Sequence, residues 1–101
     1  MQLISSEELK SKLDGNETIV LIDVREPDEH AAYNIGGILL PLGNILSMQT
    51  DDIDEHKNAS IICYCRSGNR SMQACLMLET MGFTDVKNLT GGMLEWEQKY
   101  K

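Results

Sequence analysis

Long hydrophobic runs are missing from this chain of 101 residues. No apolar stretch approaches the roughly 18 residues that a membrane-spanning helix requires. The N-terminal residues 1–8 have no basic region followed by an apolar one, as a secretory signal would have. We therefore expect a cytoplasmic protein without a membrane partner. The length and the apolar fraction of 42% fit one globular domain over residues 1–101.

Positive charge is scarce. Nine Lys and Arg residues stand against 16 Asp and Glu residues, so the net charge is −7. This sign argues against nucleic acid as a partner. Residues 1–60 hold 12 acids and 4 bases, whereas residues 61–101 hold 4 acids and 5 bases. The second part is therefore the more favourable place for a small anion. Alternatively, the acidic residues of the first part only solvate surface helices, which would explain most of the asymmetry.

The cysteines are too few and unsuitably spaced for a disulfide framework or a zinc site. There are three, Cys63, Cys65 and Cys75. The odd number favours a reducing compartment and at least one thiol with a chemical function. No C-x-x-C is present, and no second cysteine or histidine pair complements Cys63 and Cys65 as zinc ligands. We predict neither a metal nor an organic cofactor.

Segments typical of strands alternate with segments typical of helices. The patterns predict strands over residues 2–4, 19–24, 38–40, 60–64 and 86–89. They predict helices over residues 5–13, 27–32, 44–48, 69–81 and after 92, and an exposed polar stretch over residues 51–58. Such alternation implies βαβ units, an α/β fold with a mainly parallel sheet and helices on both faces. Ligands of these sheets bind beyond the carboxyl ends of the strands.

Cys65 lies at such an end, between the predicted strand 60–64 and a polar loop that leads into a helix. A thiolate, not a thiol, is the nucleophile. The N-terminus of the helix and the inward-pointing loop amides of residues 66–70 both favour a negative charge on this sulfur. We expect its pKa to be roughly 5–7. Cys65 is therefore the predicted catalytic residue.

The residues after Cys65 are predicted to bind an anionic substrate. They are Arg66, Ser67, Gly68, Asn69 and Arg70. The guanidinium groups of Arg66 and Arg70 can clamp an oxyanion. Gly68 permits a tight ring of amides, and Asn69 tolerates a left-handed backbone. Alternatively, either arginine forms an ordinary surface ion pair. Of the two, Arg70 is the favoured neighbour of the ligand, because the start of the helix fixes its position. Ser71 either caps the helix or donates a hydrogen bond to the thiolate.

The other cysteines and the histidines have weaker functional patterns. Cys63 alternates along a buried strand and is interpreted as core, with a resolving thiol for Cys65 as the alternative. Cys75 lies on an apolar helix face and is interpreted as core. His30 and His56 lie in polar segments far from the loop in sequence, so the pattern gives little support for a Cys–His pair.

Three segments together resemble the rhodanese domain family. The first ends in Asp23-Val24-Arg25-Glu26, the second is residues 64–71, and the third is Gly91-Gly92 followed by Trp96. The resemblance implies a three-layer α/β/α fold with a five-stranded parallel sheet, and sulfur transfer with Cys65 as the carrier. It also implies a structural role for the charged pair of Asp23 and Arg25. The chain departs from the family pattern at residues 34–38, where the usual His and Pro are missing.

The length of the loop carries a further implication of this resemblance. Cys65 to Arg70 spans six residues. In this family a six-residue loop accompanies sulfur transfer, whereas related phosphatases and arsenate reductases have one residue more. A smaller ring of amides suits a terminal persulfide sulfur, and a tetrahedral phosphoryl group needs a wider one.

The resemblance therefore favours a sulfurtransferase. It would move a sulfane sulfur from thiosulfate or a related donor to a thiol or cyanide through a Cys65 persulfide. The expected partners are a small anionic sulfur donor, a thiol acceptor and, in the cell, a protein that accepts sulfur. A non-catalytic persulfide relay or protein-binding module is the main alternative. A phosphatase or arsenate reductase is a third hypothesis, which the short loop disfavours.

Overall fold

The computed structural model describes residues 1–101. Its strands are β1 (Gln2–Ile4), β2 (Val20–Asp23), β3 (Ile38–Leu39), β4 (Ser60–Tyr64) and β5 (Asp85–Leu89). Its α-helices are α1 (Ser6–Asp14), α2 (Pro27–Ala32), α3 (Leu42–Leu46), α4 (Asn69–Thr80) and α5 (Gly92–Tyr100), with a 3-10 turn at Asp54–His56. No helix combines the length and the apolar character needed to cross a membrane.

The strands form one sheet in the order β1-β5-β4-β2-β3. Every neighbouring pair is parallel. The predicted α/β class and five-stranded parallel sheet are thus confirmed. β4 lies at the centre, so its carboxyl end opens at the middle of one edge of the sheet. The loop that begins with Cys65 lies at this edge.

Two apolar clusters cover the two faces of the sheet, which gives the three layers. Alternate residues of β4 point to opposite clusters. Ile61 and Cys63 belong to the cluster under α3 and α4, and Ile62 and Tyr64 belong to the cluster under α1 and α5. Cys65 continues this alternation into the first cluster. Its side chain is therefore directed toward the N-terminal part of α4.

Local sequence signals explain several boundaries. A capping box begins α1: the Ser5 hydroxyl accepts the Glu8 amide at 3.1 Å, and the Glu8 carboxylate accepts the Ser5 amide at 3.1 Å. Gly15 ends this helix. The prediction that residues 51–58 are exposed is wrong at Ile53, which is fully buried. Ile53 is the only apolar residue between positions 51 and 58, and its side chain packs in the core although its neighbours in sequence are polar.

Candidate active site

The Cys65 thiol is enclosed by hydrogen-bond donors. Its Sγ atom accepts the backbone amide of Gly68 at 3.1 Å and that of Ser71 at 3.3 Å. The Ser71 hydroxyl lies 3.4 Å from the same sulfur. The side chain of Cys65 is only 1% exposed. Backbone amides at the start of α4 thus surround the sulfur at the point where the helix presents its positive end.

These contacts shift the pKa of the sulfur. Burial alone would raise the pKa of Cys65, because it disfavours the thiolate. The hydroxyl and amide of Ser71 and the amides of Gly68 and Ser67 lower it, and together they outweigh burial. The pKa therefore lies below the ordinary value of 9.0. The direction agrees with the sequence prediction, and the largest lowering effects come from neutral donors.

Asn88 and Ser71 hold the loop in this conformation. The Asn88 carboxamide lies on β5, is 2% exposed, and donates to the carbonyl of Gly68 at 3.1 Å. The Ser71 hydroxyl oxygen lies 3.2 Å from the same carbonyl oxygen and also contacts the side-chain oxygen of Asn88, so its single proton is shared among these oxygens and the Cys65 sulfur. Gly68, at a φ of 102°, is the N-cap of α4, so Ser71 contacts the thiol and does not cap the helix. Asn69 is the first helical residue and does not adopt a left-handed conformation.

The N-terminus of α5 supports the loop from its other side. The amides of Met93 and Leu94 donate to the carbonyls of Cys65 and Arg66 at 2.9 and 3.0 Å. Gly92 makes this approach possible, since an added Cβ would lie 2.6 Å from the Cys65 carbonyl oxygen. The Gly-Gly pair recognised in the sequence is therefore the place where α5 packs directly on the loop.

The two arginines of the loop differ. Arg66 is exposed and forms no ion pair. Arg70 donates from both terminal nitrogens to the two carboxylate oxygens of Glu29, at 2.8 and 2.9 Å. This hydrogen bonding lowers the pKa of Glu29 to about 2. The ion-pair alternative thus holds for Arg70, and its partner on α2 was not predicted.

A cleft of about 200 Å³ opens beside the loop. Its lining is mixed, with charged groups from α2, the loop and α5 and apolar groups between them. The lining residues are Arg25, Glu29, Ala32, Tyr33, Arg66, Met93, Leu94 and Glu97. No group of three or more His, Cys, Asp or Glu side chains is placed to hold a metal ion.

Comparison with known proteins decides the family. The profile described as a rhodanese-like domain matches residues 5–99. The chain belongs to the rhodanese-like domain family. A sulfurtransferase from Allochromatium vinosum is 38% identical over 94 residues, which cover 92% of this chain and 85% of that protein.

Solved rhodanese-like structures share the whole fold. A rhodanese-like domain protein from Staphylococcus aureus is 31% identical, with a TM-score of 0.82 over 95% of this chain and 91% of that one. A human single-domain sulfurtransferase is 26% identical, with a TM-score of 0.84 over 100% of this chain and 99% of that one. The family predicted from three sequence segments is thus confirmed.

In this rhodanese-like domain the Asp23–Arg25 pair is buried beside the cleft. Arg25 donates to both carboxylate oxygens of Asp23, at 2.9 and 2.8 Å, and to the carbonyl of Tyr33 at 2.7 Å. The Nδ1 atom of His30 lies 2.8 Å from the same carboxylate. The pair ties the end of β2 to α2. The Nδ1 atom of His30 is thus engaged by Asp23, and the hydrogen bonds of the Cys65 sulfur come from other residues.

The remaining cysteines lie in the core of the rhodanese-like domain. Both Cys63 and Cys75 are fully buried. Contact with the thiol of Cys75 and burial raise the pKa of Cys63 well above its ordinary value. A protonated, buried thiol is a poor nucleophile, which favours the core interpretation of Cys63 over a resolving role.

The departure from the family pattern at residues 34–38 forms a turn against β4. The Tyr64 hydroxyl donates to the carbonyl of Gly36 at 2.9 Å and accepts the amide of Ile35 at 3.3 Å. Tyr64 directly precedes Cys65. The turn thereby fixes the end of β4 without the usual His and Pro.

Proposed function

We propose that this protein is a single-domain sulfurtransferase that carries sulfur as a persulfide on Cys65. The donor is thiosulfate or a related anionic compound with a sulfane sulfur, and the acceptor is a thiol or, in the test tube, cyanide. The observation that carries the proposal is the pair of backbone amides that donate to Cys65 Sγ at 3.1 and 3.3 Å. They stabilise a thiolate in a nearly buried position, where a structural cysteine would be neutral.

The first half-reaction is an attack of the Cys65 thiolate on the outer sulfur of the donor. A new S–S bond forms, the S–S bond of the donor breaks, and its electron pair leaves on sulfite when thiosulfate is the donor. The loop amides stabilise negative charge on sulfur throughout this step. No oxidant is needed, because the thiolate supplies the electron pair of the new S–S bond and sulfite leaves with the pair of the bond that breaks.

The second half-reaction returns the enzyme to its starting state. The acceptor attacks the outer sulfur of the persulfide, and the Cys65 thiolate leaves. A thiol with a lowered pKa is a better leaving group. The same hydrogen bonds that activate Cys65 for attack therefore assist its release.

We assign donor binding to residues 66–70. Arg66 is exposed and free of an ion pair, so its guanidinium group can reach an anion at the mouth of the loop. The loop residues Ser67 and Asn69 are exposed beside it. The Gly68 amide donates to the sulfur, and Arg70 binds Glu29, which lines the cleft.

The test is thiosulfate-dependent formation of thiocyanate by the wild type and by Cys65→Ser. The serine variant should lose the activity, while Cys75→Ala, which removes a thiol from the core, should retain it. Activity in Cys65→Ser would reject the assignment of the nucleophile.

Mass spectrometry after donor treatment addresses the relay alternative. One stable added sulfur on Cys65 without turnover would favour the relay over the enzyme.

A further inference from the structure

The guanidinium group of Arg70 is already engaged by a carboxylate. Its two terminal nitrogens bind the two carboxylate oxygens of Glu29, which lies 41 residues earlier on α2. Glu29 is held from its own side as well, because it accepts the backbone amide of Glu26 at 3.1 Å. The side chain of Glu29 is 28% exposed and that of Arg70 is 34% exposed. This bidentate, partly buried geometry distinguishes the pair from a mobile surface contact.

The charges around the cleft cancel as a consequence. The lining has two guanidinium groups, those of Arg25 and Arg66, and two carboxylates, those of Glu29 and Glu97. Asp23 and Arg70 add one charge of each sign as the ion-pair partners of Arg25 and Glu29. Three positive groups therefore meet three negative ones. Ionisation of Cys65 adds a further negative charge beside the cleft, and the chain as a whole carries −7. A strongly charged anion gains little from entering this site.

We propose that Glu29 makes the site selective for sulfane-sulfur donors with one negative charge over the dianion thiosulfate, because it neutralises Arg70. The inference rests on the proposed sulfur transfer. One unit charge at roughly 8 Å in a water-like dielectric changes the affinity for a dianion about five-fold and that for a monoanion about two-fold. Glu29 thus acts as a specificity determinant without touching the reacting sulfur.

Methanethiosulfonate is the matched monoanionic probe for thiosulfate. It has the same S–S bond, with a methyl group in place of one charged oxygen. With either donor, the Cys65 thiolate attacks the outer sulfur and the S–S bond of the donor breaks. The electron pair leaves on methanesulfinate or on sulfite, and Cys65 becomes a persulfide. The two reactions therefore differ mainly in the charge that enters the cleft.

The experiment compares kcat/KM for both donors in the wild type and in Glu29→Gln. Glutamine keeps an acceptor for Arg70 and for the Glu26 amide but removes the charge. The ratio of thiosulfate to methanethiosulfonate efficiency should rise about two-fold or more, mostly through KM. The gain should shrink at high salt, where exposed charges are screened. An unchanged or lower ratio would overturn the proposal.

Asp85→Asn is the control for a general loss of negative charge. Asp85 also forms an ion pair, with Lys87 at 2.7 Å, but it lies at the amino end of β5, opposite the edge that holds Cys65. Its removal should leave the donor ratio unchanged. A ratio that rises equally in both variants would show that net charge, and not the position of Glu29, governs donor selection.

Alkylation of Cys65 provides a readout that needs no sulfur transfer. Iodoacetate and iodoacetamide react at the same iodomethyl carbon, where the thiolate displaces iodide, but only the first is an anion. Glu29→Gln should raise the iodoacetate rate about two-fold relative to the iodoacetamide rate. If neither donor supports turnover in the wild type, the proposed function fails. The alkylation ratio then still shows whether Glu29 repels anions at Cys65, and an unchanged ratio would reject that role.

Discussion

The amide of Gly68 donates to the sulfur of Cys65 across a turn in which Gly68 has a φ of 102°. This backbone conformation is rarely adopted by residues with a Cβ atom. The orientation of the Gly68 amide toward the sulfur therefore depends on glycine at this position. The same residue begins α4 as its N-cap, so one turn both starts the helix and encloses the thiolate.

Gly68→Ala should disturb the site through backbone strain. A Cβ atom would have room, with the Leu89 carbonyl oxygen at 3.6 Å as its nearest neighbour. The free energy of unfolding in urea should fall by about 1–2 kcal/mol, and alkylation of Cys65 at neutral pH should slow. Gly43→Ala, in α3 with open space and no positive φ, should be neutral or slightly stabilising. Equal effects of both substitutions would contradict the role of the turn.

Ser71→Ala should move the pH dependence of Cys65 reactivity upward. In the wild type, burial raises the pKa of the thiol, but donors led by the Ser71 hydroxyl lower it below its ordinary value. Alkylation should therefore persist at a lower pH than for a free cysteine and decline as the pH falls through the folded pKa. Without the hydroxyl, this decline should begin at a higher pH.

The measurement is the rate of iodoacetamide alkylation as a function of pH. Ser11→Ala, which changes an exposed serine of α1, should leave the midpoint where it is in the wild type. A midpoint that Ser71→Ala leaves unchanged would show that the amides alone set the pKa. In that case the contact of 3.4 Å between the hydroxyl and the sulfur has no electrostatic consequence.

Patterns that are local in sequence predicted most of the fold. The alternation along β4 predicted Cys63 to lie in the core, and Cys63 is found in the buried cluster under α3 and α4. The capping box of α1 lies within four residues and is visible without a structure. Ile53 shows the limit of this reasoning, since nothing in its polar segment indicates what covers it.

Contacts between distant segments explain what the sequence did not reveal at the site. Asn88 binds the carbonyl of Gly68 across 20 residues, and Glu29 binds Arg70 across 41. Neither partner carries a local pattern that indicates its contact. The register of β4 and β5, in which Cys63 lies opposite Asn88, brings the carboxamide to the loop. Only the folded sheet supplies that register.

Asn88→Ala should destabilise the protein by about 1–3 kcal/mol, because the buried carbonyl of Gly68 loses a donor and the Ser71 hydroxyl loses an acceptor. Urea unfolding measures this loss, and alkylation of Cys65 reports whether the loop also moves. Asn44→Ala replaces an exposed asparagine in α3 and should change the stability by less than about 0.5 kcal/mol. Similar stabilities of the two variants would contradict the role of Asn88 in holding the loop.

Asp23→Asn should destabilise the protein by about 3–5 kcal/mol at neutral pH, because it leaves the buried Arg25 guanidinium without its carboxylate. Burial alone would raise the pKa of Asp23, but bonds from Arg25 and His30 lower it below the ordinary 3.8. The stabilisation is therefore fully present above this value and is lost as the pH falls through the folded pKa. Urea unfolding at decreasing pH should show the free energies of unfolding of the wild type and Asp23→Asn converging. Asp14→Asn is the control. It removes one partner of the exposed Lys10–Asp14 ion pair and should unfold like the wild type at every pH. A constant difference at all pH values would mean that the ionised carboxylate contributes nothing.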